Sequence, residues 1–323
     1  MTRQEPIQSA FGAASTAMEV VSGIDLQHRL AIVTGGASGI GLETTRALVQ
    51  AGADVIVPAR SPERAKAALH GLSGATVEPM DLGEPGSVAS FAERVRSAGR
   101  PVSILVNSAG IMATPEMRDA QRHEAQFSTN HLGHFRLTLG LWPALEAANG
   151  ARVVSVSSRG HQIAGIDFDD IDFQRRPYDK WVAYGQSKTA NALFALALDK
   201  RGQSRGIRAL SLHPGQILTD LARHLSAEEI ASFDALDETG RPIIDPERGM
   251  KTVEQGAATS VWCATSPDLD GIGGVYCEDC NVAPINESAL GRKGVSAWAC
   301  DPEAAERLWQ LSAAWTGSDV VSW

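Results

Sequence analysis

The sequence predicts an α/β fold built on one doubly wound parallel sheet with helices on both faces. Short β-branched runs alternate with helical patterns from about residue 28 onward, and the first run leads directly into a glycine-rich turn. No internal repeat or low-complexity linker divides the chain. Strands that alternate with helices form parallel sheets, and right-handed crossovers cover both faces. We therefore expect an N-terminal arm over residues 1–27 and a single domain over residues 28–323.

The alternation sets the expected elements in order. Strands are predicted at Leu30–Thr34, Ala53–Val57, Ala75–Met80, Ser103–Asn107, Ala151–Ser155 and Arg208–Leu212. Helices are predicted at Leu42–Ala51, Pro62–His70 and Pro85–Ala98, with one long helix around Glu124–Ala147 and another around Trp181–Arg201. A polar, helix-prone segment over residues 219–250 follows a late strand, where ligands of such sheets bind. This segment is predicted to form a substrate lid.

Composition excludes several classes of function. The 323 residues carry 29 basic and 38 acidic side chains, for a net charge of −9. An acidic chain is poorly suited to bind nucleic acid or an anionic membrane surface. No apolar run approaches the ~20 residues of a membrane span, and the N-terminus lacks a secretory signal pattern. We expect a cytoplasmic protein that acts on a small molecule and forms a homo-oligomer, either a dimer or a tetramer.

The cysteines give a weak signal. Cys277 and Cys280 form one CxxC pair, without a second pair or a His-x3-His. A zinc site needs more ligands than that, and a redox pair needs a helix N-terminus, whereas this pair follows a strand-like run. We expect two structural thiols, with a redox or metal role as the alternative, and we expect no metal in the protein.

The glycine-rich turn is the strongest local signal. Leu30–Thr34 runs directly into Gly35-Gly-Ala-Ser-Gly39-Ile-Gly41, and the next residues open a helix. Glycines let the backbone turn tightly and approach a pyrophosphate, while the helix N-terminus offers free N–H groups and its positive dipole end. Between a strand and a helix, this turn predicts a dinucleotide site.

The spacing Thr-Gly-x3-Gly-x-Gly resembles that of the short-chain dehydrogenase/reductase family, which has a Rossmann fold. Asp81-Leu82, Asn107-Ser108-Ala109-Gly110, Pro214-Gly215 and Thr219 match further family motifs in order, although Ser108 replaces the second Asn. The resemblance implies that Asp81 faces the adenine and Thr219 the nicotinamide amide. The cofactor-binding residues it implies are Thr34, Gly35, Ser38, Gly39, Ile40, Gly41, Asp81, Leu82, Asn107, Ala109, Gly110, Tyr184, Lys188, Pro214, Gly215 and Thr219.

The end of the second strand predicts which nicotinamide binds. NAD enzymes place a carboxylate there to accept from the ribose 2′-hydroxyl. This chain has Ala59 at that position, followed by Arg60. An arginine can hold a 2′-phosphate through charge-assisted, forked hydrogen bonds. We therefore expect NADP(H) to be preferred over NAD(H); the alternative is that Arg60 is a solvated loop residue.

A Tyr-x3-Lys pair predicts acid–base chemistry. Tyr184 and Lys188 lie on one face of a helix, so the ammonium should lower the pKa of the phenol from its free value of about 10. In the family, Ser158 matches the serine that holds the substrate oxygen, with Ser157 as the fallback. Asn130 matches the fourth catalytic position, where an Asn holds a water in a proton relay to the lysine.

The interval between Ser158 and Tyr184 contains Ile166-Asp-Phe-Asp-Asp-Ile-Asp-Phe173. This insertion resembles the retinol dehydrogenase-like and WW-domain-oxidoreductase-like branch of the family. The resemblance implies hydride transfer between an alcohol and a carbonyl group; a catalytically silent NADP-binding scaffold and a C=C reductase are the alternatives. We expect Ile111, Met112 and residues 219–250 to line a pocket for a bulky, mostly apolar substrate.

Three histidines near these motifs are assigned no catalytic role. His131 and His134 follow Asn130 on the predicted long helix, and we expect both to pack in the core. His213 precedes Pro214 and is expected in a loop.

Overall fold

The computed structural model describes residues 3–233, 235–286 and 293–318. The strands are β1 (Leu30–Thr34), β2 (Asp54–Ala59), β3 (Ala75–Pro79), β4 (Val102–Asn107), β5 (Ala151–Val156), β6 (Ile207–His213), β7 (Tyr276–Glu278), β8 (Asn281–Val282), β9 (Ile285–Asn286) and β10 (Val295–Ser296). The helices are α1 (Ala17–Val21), α2 (Gly39–Gln50), α3 (Pro62–Ala68), α4 (Pro85–Ser97), α5 (Ala125–Phe127), α6 (Gly133–Gly140), α7 (Trp142–Ala147), α8 (Lys180–Gly202), α9 (Ala227–Ser232), α10 (Val253–Thr265) and α11 (Pro302–Thr316).

The described residues form an eight-stranded sheet in the order β3-β2-β1-β4-β5-β6-β7-β8. The strands from β3 to β7 run parallel to their neighbours, and β8 returns antiparallel after a tight turn. Strand order reverses between β1 and β4, which opens a crevice at their carboxyl ends. The predicted doubly wound parallel sheet with helices on both faces is confirmed, apart from the antiparallel β8.

Alternate residues of β1 supply two cores, one on each face of the sheet. Leu30 and Ile32 pack into a core with residues of α4, α6, α8 and α11. Ala31 and Val33 face the other way, into a core with residues of α1, α2 and α10. The side chains of a strand alternate between faces, so a central strand covered on both sides must be apolar throughout.

Gln4 and Ile7, near the N-terminus, pack at the far edge of the sheet. The Gln4 side chain donates to the carbonyls of Tyr276 and Ala283 at 2.8 and 2.6 Å, and accepts from the Tyr276 N–H at 2.9 Å. Asn281 exchanges two 2.9 Å hydrogen bonds with the backbone of Ile7. The amide side chains thus continue the backbone pairing beyond β7 and β8, and α1 then packs against α10 and α2.

The predicted long helix over Glu124–Ala147 is wrong. The segment is divided into α5, a π-helical turn over Ser128–Leu132, α6 and α7. The π turn adds a residue to one helical turn and shifts the register at Asn130, a distortion that is frequent at functional sites. Pro143 lies in the first turn of α7, where it has no N–H to continue the hydrogen bonding of α6. Among the other boundaries, α2 begins at Gly39, three residues before the predicted start.

Residues 219–250 form short helical turns beside the crevice. A 3₁₀ turn covers Asp220–His224, α9 follows, and another 3₁₀ turn covers Pro246–Arg248. Glu229 of α9 forms a 2.5 Å ion pair with Lys180 at the start of α8. The ring of Phe233 lies 5.6 Å from that of Trp181, edge to face. These contacts join the segment to the helix that carries Tyr184.

Three of the four cysteines are buried. Cys277 lies in β7 close to Cys263, and Cys280 lies in the β7–β8 turn with its sulfur 3.9 Å from Thr259 Oγ1. None of the four forms a disulfide. Within the described ranges, no group of three or more His, Cys, Asp or Glu side chains could hold a metal ion. No helix in those ranges has the length and apolarity needed to cross a membrane.

Phe135 is the centre of an aromatic cluster under α11. Its ring is fully buried, 4.9 Å from Trp309 and 5.7 Å from Phe194. We expect Phe135→Ala to lower the free energy of unfolding by about 3–5 kcal/mol, because loss of the ring would leave a cavity between Trp309 and Phe194. Urea unfolding measures the change. Met117→Ala, at a half-exposed position, is the control, and a loss below about 1 kcal/mol at Phe135 would contradict the packing described.

Candidate active site

A cavity of about 650 Å³ lies at the carboxyl ends of the central strands. The residues predicted from sequence that line it are Thr34, Gly35, Ser38, Gly39, Ile40, Gly41, Arg60, Asp81, Leu82, Ala109, Gly110, Ile111, Ser157, Ser158, Tyr184, Lys188, Gly215 and Thr219. Asn107, Asn130 and Pro214 are buried behind this wall, and Met112 does not line it. Most of the predicted residues are therefore brought to one crevice.

The glycine-rich loop fits a pyrophosphate. A Cβ on Gly41 would lie 2.3 Å from the Gly35 carbonyl oxygen, so α2 packs on the loop as closely as the backbone allows. Gly35 has a φ of +68°, which an L side chain rarely adopts. Ser38 is the N-cap of α2, but its side chain makes no capping hydrogen bond. The first N–H groups of α2 therefore face a crevice open to an anionic ligand.

Cationic side chains border the cavity beyond β2. Arg60 is exposed there, and Arg64 lies in the first turn of α3, with its guanidinium 3.8 Å from the carboxylate of Asp220. Arg223 borders the same opening. Sequence reasoning missed Arg64. Its spacing of four residues from Arg60, next to a proline that starts a helix, is the signal that could have found it.

Ser158, Tyr184 and Lys188 meet on the opposite wall of the cavity. The Lys188 ammonium donates to the Val156 carbonyl at 3.0 Å and lies 5.7 Å from the centre of the Tyr184 ring. The Ser158 side chain lies near enough to the Tyr184 phenol to act on its pKa. Ser157 instead donates its hydroxyl to the Lys188 carbonyl at 2.7 Å, which commits it to holding α8 against β5.

The expected lowering of the Tyr184 pKa is wrong for the chain by itself. Burial raises the pKa of Tyr184 to about 12, and the hydrogen bond from Ser158 only partly opposes that shift. Burial also lowers the pKa of Lys188 to about 8. Removing either group from water disfavours its charged form. The Lys188 ammonium, 5.7 Å from the centre of the tyrosine ring, does not cancel the effect of burial on the phenol.

Asn130 lies in the π turn and holds the loop after β4. Its Oδ1 accepts from the Ile111 N–H, and its Nδ2 donates to the Ile111 carbonyl, both at 2.9 Å. The same Nδ2 also donates to Ser187 Oγ at 2.9 Å. The side chain therefore joins the loop that carries Gly110 to the helix that carries Lys188. A Cβ on Gly110 would lie 3.0 Å from Asn130 Oδ1, so a side chain there would press on the Asn130 amide.

His134 connects Thr34, at the end of β1, to Asn130, a role that sequence reasoning missed. Its Nδ1 lies 2.9 Å from the Asn130 carbonyl, which can only accept, so Nδ1 carries the proton. Its Nε2 then accepts from Thr34 Oγ1 at 2.9 Å. The oxygen of Thr34 in turn accepts from the N–H groups of Ser108 and Ala109. An i, i+4 spacing from Asn130 was the available signal.

His131 and His213, the other two histidines near the sequence motifs, also have defined hydrogen-bond partners. His131 is buried among aromatic rings, and its Nε2 lies 2.7 Å from Ser312 Oγ. His213 is the last residue of β6 rather than a loop residue, and its Nδ1 accepts from the Arg159 N–H at 3.1 Å. A residue before Pro214 is pushed into the extended region, which here continues the strand.

Comparison with known proteins agrees with this fold and crevice. The family model described as short chain dehydrogenase matches residues 29–230, and the chain belongs to that family. It is therefore an oxidoreductase of a family that binds nicotinamide cofactors. A Streptomyces antibioticus protein named "Probable oxidoreductase" is 48% identical over 295 residues, covering 89% of this chain and 97% of the relative. Mouse retinol dehydrogenase 12 is 35% identical, covering 90% and 86%.

Solved structures show the same architecture. A protein from Mycobacterium paratuberculosis superposes with a TM-score of 0.71 at 31% identity, covering 95% of this chain and 98% of that chain. A short chain dehydrogenase from Burkholderia cenocepacia J2315 in complex with NADP superposes with a TM-score of 0.59 at 25% identity, covering 78% and 96%.

The buried neutral imidazoles predict acid sensitivity. Burial lowers the pKa of His134 to about 4, so the unfolded chain binds its proton near pH 6.5 while the folded chain does not. The unfolded state therefore binds more protons between these values, and stability falls as pH falls from about 6.5 to 4. Each such imidazole contributes a slope of at most about 1.4 kcal/mol per pH unit. His131 and His161 contribute with the same sign.

We expect His134→Gln to reduce this slope, because the titrating group is gone. Urea midpoints measured from pH 7.5 to 4.5 for wild type and variant give the two slopes. His70→Gln, at an exposed position, is the matched control and should retain the wild-type slope. Equal slopes for His134→Gln and wild type would show that His134 does not contribute to the acid sensitivity.

Proposed function

We propose that this protein transfers a hydride between NADP(H) and an alcohol or carbonyl group of a bulky, mostly apolar substrate. The observation that carries the proposal is the meeting of Ser158, Tyr184 and Lys188 on one wall of the crevice whose other end is the glycine-rich loop. The bound nicotinamide supplies or accepts the hydride. A catalytic acid beside a cofactor cradle is the arrangement that alcohol/carbonyl chemistry requires.

Each of the four candidate side chains has a distinct role in this proposal. The Tyr184 hydroxyl gives its proton to the oxygen of a carbonyl substrate, or takes it from an alcohol. Ser158 hydrogen-bonds the same oxygen and stabilises its developing charge. Lys188 supplies positive charge behind the phenol and holds the ribose. Asn130 holds the loop that carries Gly110 against the helix that carries Lys188. A water held by Asn130 would continue a proton relay to Lys188.

The raised pKa of Tyr184 favours the acid role for the chain by itself. With a pKa of about 12, the phenol is protonated at neutral pH and ready to donate to a carbonyl oxygen. Acting as a base towards an alcohol requires stabilisation of the phenolate, which the positive charge of the oxidised ring would supply next to Lys188. The oxidation direction should therefore be faster at alkaline pH.

Two arginines support a preference for NADP(H). Arg60 and Arg64 border the cavity beyond β2, and Ala59 leaves no carboxylate to repel a 2′-phosphate. The related structure from Burkholderia cenocepacia binds NADP. A forked guanidinium matches the geometry of a phosphate.

The substrate class is inferred from the side chains near Tyr184. Ile111, Ile217 and Leu221 line the crevice. Leu218 exposes apolar surface just before the 219–250 segment, and Phe233 and Ile244 do so within it. A lid with apolar side chains would close over an apolar substrate and exclude water. We retain the cytoplasmic location and the homo-oligomer as predictions.

We expect Tyr184→Phe to lower kcat by about a hundred- to ten-thousandfold, because a general acid is worth about 10²–10⁴-fold. Binding of NADPH should change by less than about threefold, because the phenol contributes one hydrogen bond among many. Steady-state rates on a panel of ketones and secondary alcohols, read at the nicotinamide absorbance, and fluorescence titration of NADPH give both numbers.

Tyr178→Phe is the matched control, because it removes a tyrosine hydroxyl that bonds Glu124 and Gln126 away from the cavity. It should keep its turnover. Wild-type protein that binds NADPH but turns over no carbonyl, alcohol or activated alkene would favour the silent scaffold. Near-normal kcat for Tyr184→Phe would remove Tyr184 from the acid role.

We expect Arg60→Ala to weaken NADPH binding about 10- to 100-fold and leave NADH binding nearly unchanged, because a hydrogen bond to a charged group is worth ~1.5–3 kcal/mol. Ala59→Asp should shift the preference further towards NADH, through repulsion of the phosphate and a new acceptor for the ribose hydroxyl. Dissociation constants and kcat/KM with both cofactors measure the effect.

Arg100→Ala is the control for the loss of one arginine, because Arg100 pairs with Asp54 at the opposite ends of the strands. It should leave both cofactor constants unchanged. A wild-type protein that prefers NADH, with no effect of Arg60→Ala, would show that Arg60 is a solvated loop residue; the proposed roles of Tyr184, Lys188 and Ser158 would stand.

A further inference from the structure

The peptide oxygen of Ser158 accepts hydrogen bonds from two buried side chains outside the crevice. His161 Nδ1 lies 2.7 Å from it and the Tyr276 hydroxyl 3.2 Å. The two donors also lie 3.1 Å from each other, and their rings are 4.8 Å apart. His161 is 1% exposed and Tyr276 2% exposed, and neither lines the cavity. They act on Ser158 from behind, through its backbone.

The proton positions on His161 follow from its partners. Ser296, in β10, donates its backbone N–H to His161 Nε2 at 3.1 Å. A backbone N–H can only donate, so Nε2 is unprotonated and Nδ1 carries the proton that the Ser158 carbonyl accepts. Burial lowers the pKa of His161 to about 4, so the ring is neutral at physiological pH and keeps this arrangement.

The turn between Ser158 and His161 lies directly against the phenol. Ser158 Oγ accepts from the Gly160 N–H at 3.0 Å. A Cβ on Gly160 would lie 2.7 Å from Tyr184 Cε1, so the backbone of the turn touches the tyrosine ring. A shift of this turn would move the Ser158 hydroxyl relative to the phenol beside it.

We propose that His161 and Tyr276 are positioning residues, which hold the Ser158 backbone so that its hydroxyl stays aligned with Tyr184. Through Ser296 and Tyr276, β10 and β7 become the rigid support of one catalytic side chain, although they lie more than a hundred residues further along the chain. The inference rests on the proposed function, because it assumes that Ser158 touches the reacting oxygen. Groups that orient a catalytic side chain can matter almost as much as the side chain itself.

Two substitutions of His161 separate its two hydrogen bonds. The amide nitrogen of Asn lies close to the place of Nδ1, so His161→Asn keeps a donor for the Ser158 carbonyl and loses the acceptor for Ser296. The longer His161→Gln reaches the place of Nε2, so it keeps the acceptor and loses the donor. We expect His161→Gln to lower kcat about tenfold, which corresponds to about 1.4 kcal/mol. His161→Asn should restore most of that loss, and the KM for NADPH should stay within about twofold for both.

Tyr276→Phe tests the second donor and decides the proposal if the imidazole variants fail to fold. It keeps the ring that packs on His161 and removes only the hydroxyl, so kcat should fall about three- to tenfold at an unchanged KM for NADPH. Trp298→Phe is the matched control. It removes the indole N–H that donates to the His161 carbonyl at 3.0 Å, and it leaves the hydrogen bonds to the Ser158 carbonyl in place. It should keep the wild-type kcat.

Melting temperatures and NADPH titrations of every variant, with Ser158→Ala in the same assays, separate the outcomes. Wild-type kcat in both His161→Gln and Tyr276→Phe, with Ser158→Ala inactive, would overturn the positioning role and leave the proposed function intact. Equal losses in His161→Asn and His161→Gln that follow their melting temperatures would also overturn it, because the role would then be structural. Full turnover by Ser158→Ala would overturn the proposed function, and this inference with it.

Discussion

The level register of the central parallel strands is the constraint on which the whole site depends. Thr34 of β1 pairs with Asn107 of β4, Asn107 with Ser155 of β5, and Ser155 with Ser211 of β6. Four strands therefore end within two residues of one row, and each delivers its motif to the same crevice within a few residues of that row. Hydrogen bonding along parallel strands leaves no freedom to shift one motif against the next without breaking a ladder and turning its apolar side chains to the wrong face.

Exclusion from water explains the shifted pKa values of Tyr184 and Lys188 in that crevice. Tyr184 and Lys188 are each 4% exposed, and burial drives both towards their neutral forms, with pKa values of about 12 and about 8. A charged cofactor brought into such a site acts on both groups far more strongly than it would in water. The protein thus holds the acid in its protonated state, while the ammonium beside it is poised so that a modest change of field alters its charge.

Two neutral histidines join segments that are distant in sequence. His134 connects β1 to the π turn through Thr34 and Asn130, and His161 connects β10 to the carbonyl of Ser158. In both, a backbone carbonyl accepts a hydrogen bond from the Nδ1–H, and Nε2 accepts one from a second donor, so one ring satisfies a donor and an acceptor in a dry interior. Such a ring gains its two partners at the cost of acid sensitivity, because protonation would leave two donors and break one of the bonds.

The sequence by itself determined the strands β1 to β6, the glycine-rich turn after β1 and the Tyr184–Lys188 face, because periodicity, glycine turns and i, i+4 spacing are local properties of the chain. It could not predict the break in the helix at Asn130, the sign of the Tyr184 pKa shift or the contribution of His161. The break depends on how Asn130 meets Ile111, the shift depends on how completely neighbouring elements exclude water, and the histidine depends on a strand late in the chain folding back beneath Ser158. Only the tertiary structure decides these, because each is a contact between residues whose separation in sequence says nothing of their separation in space.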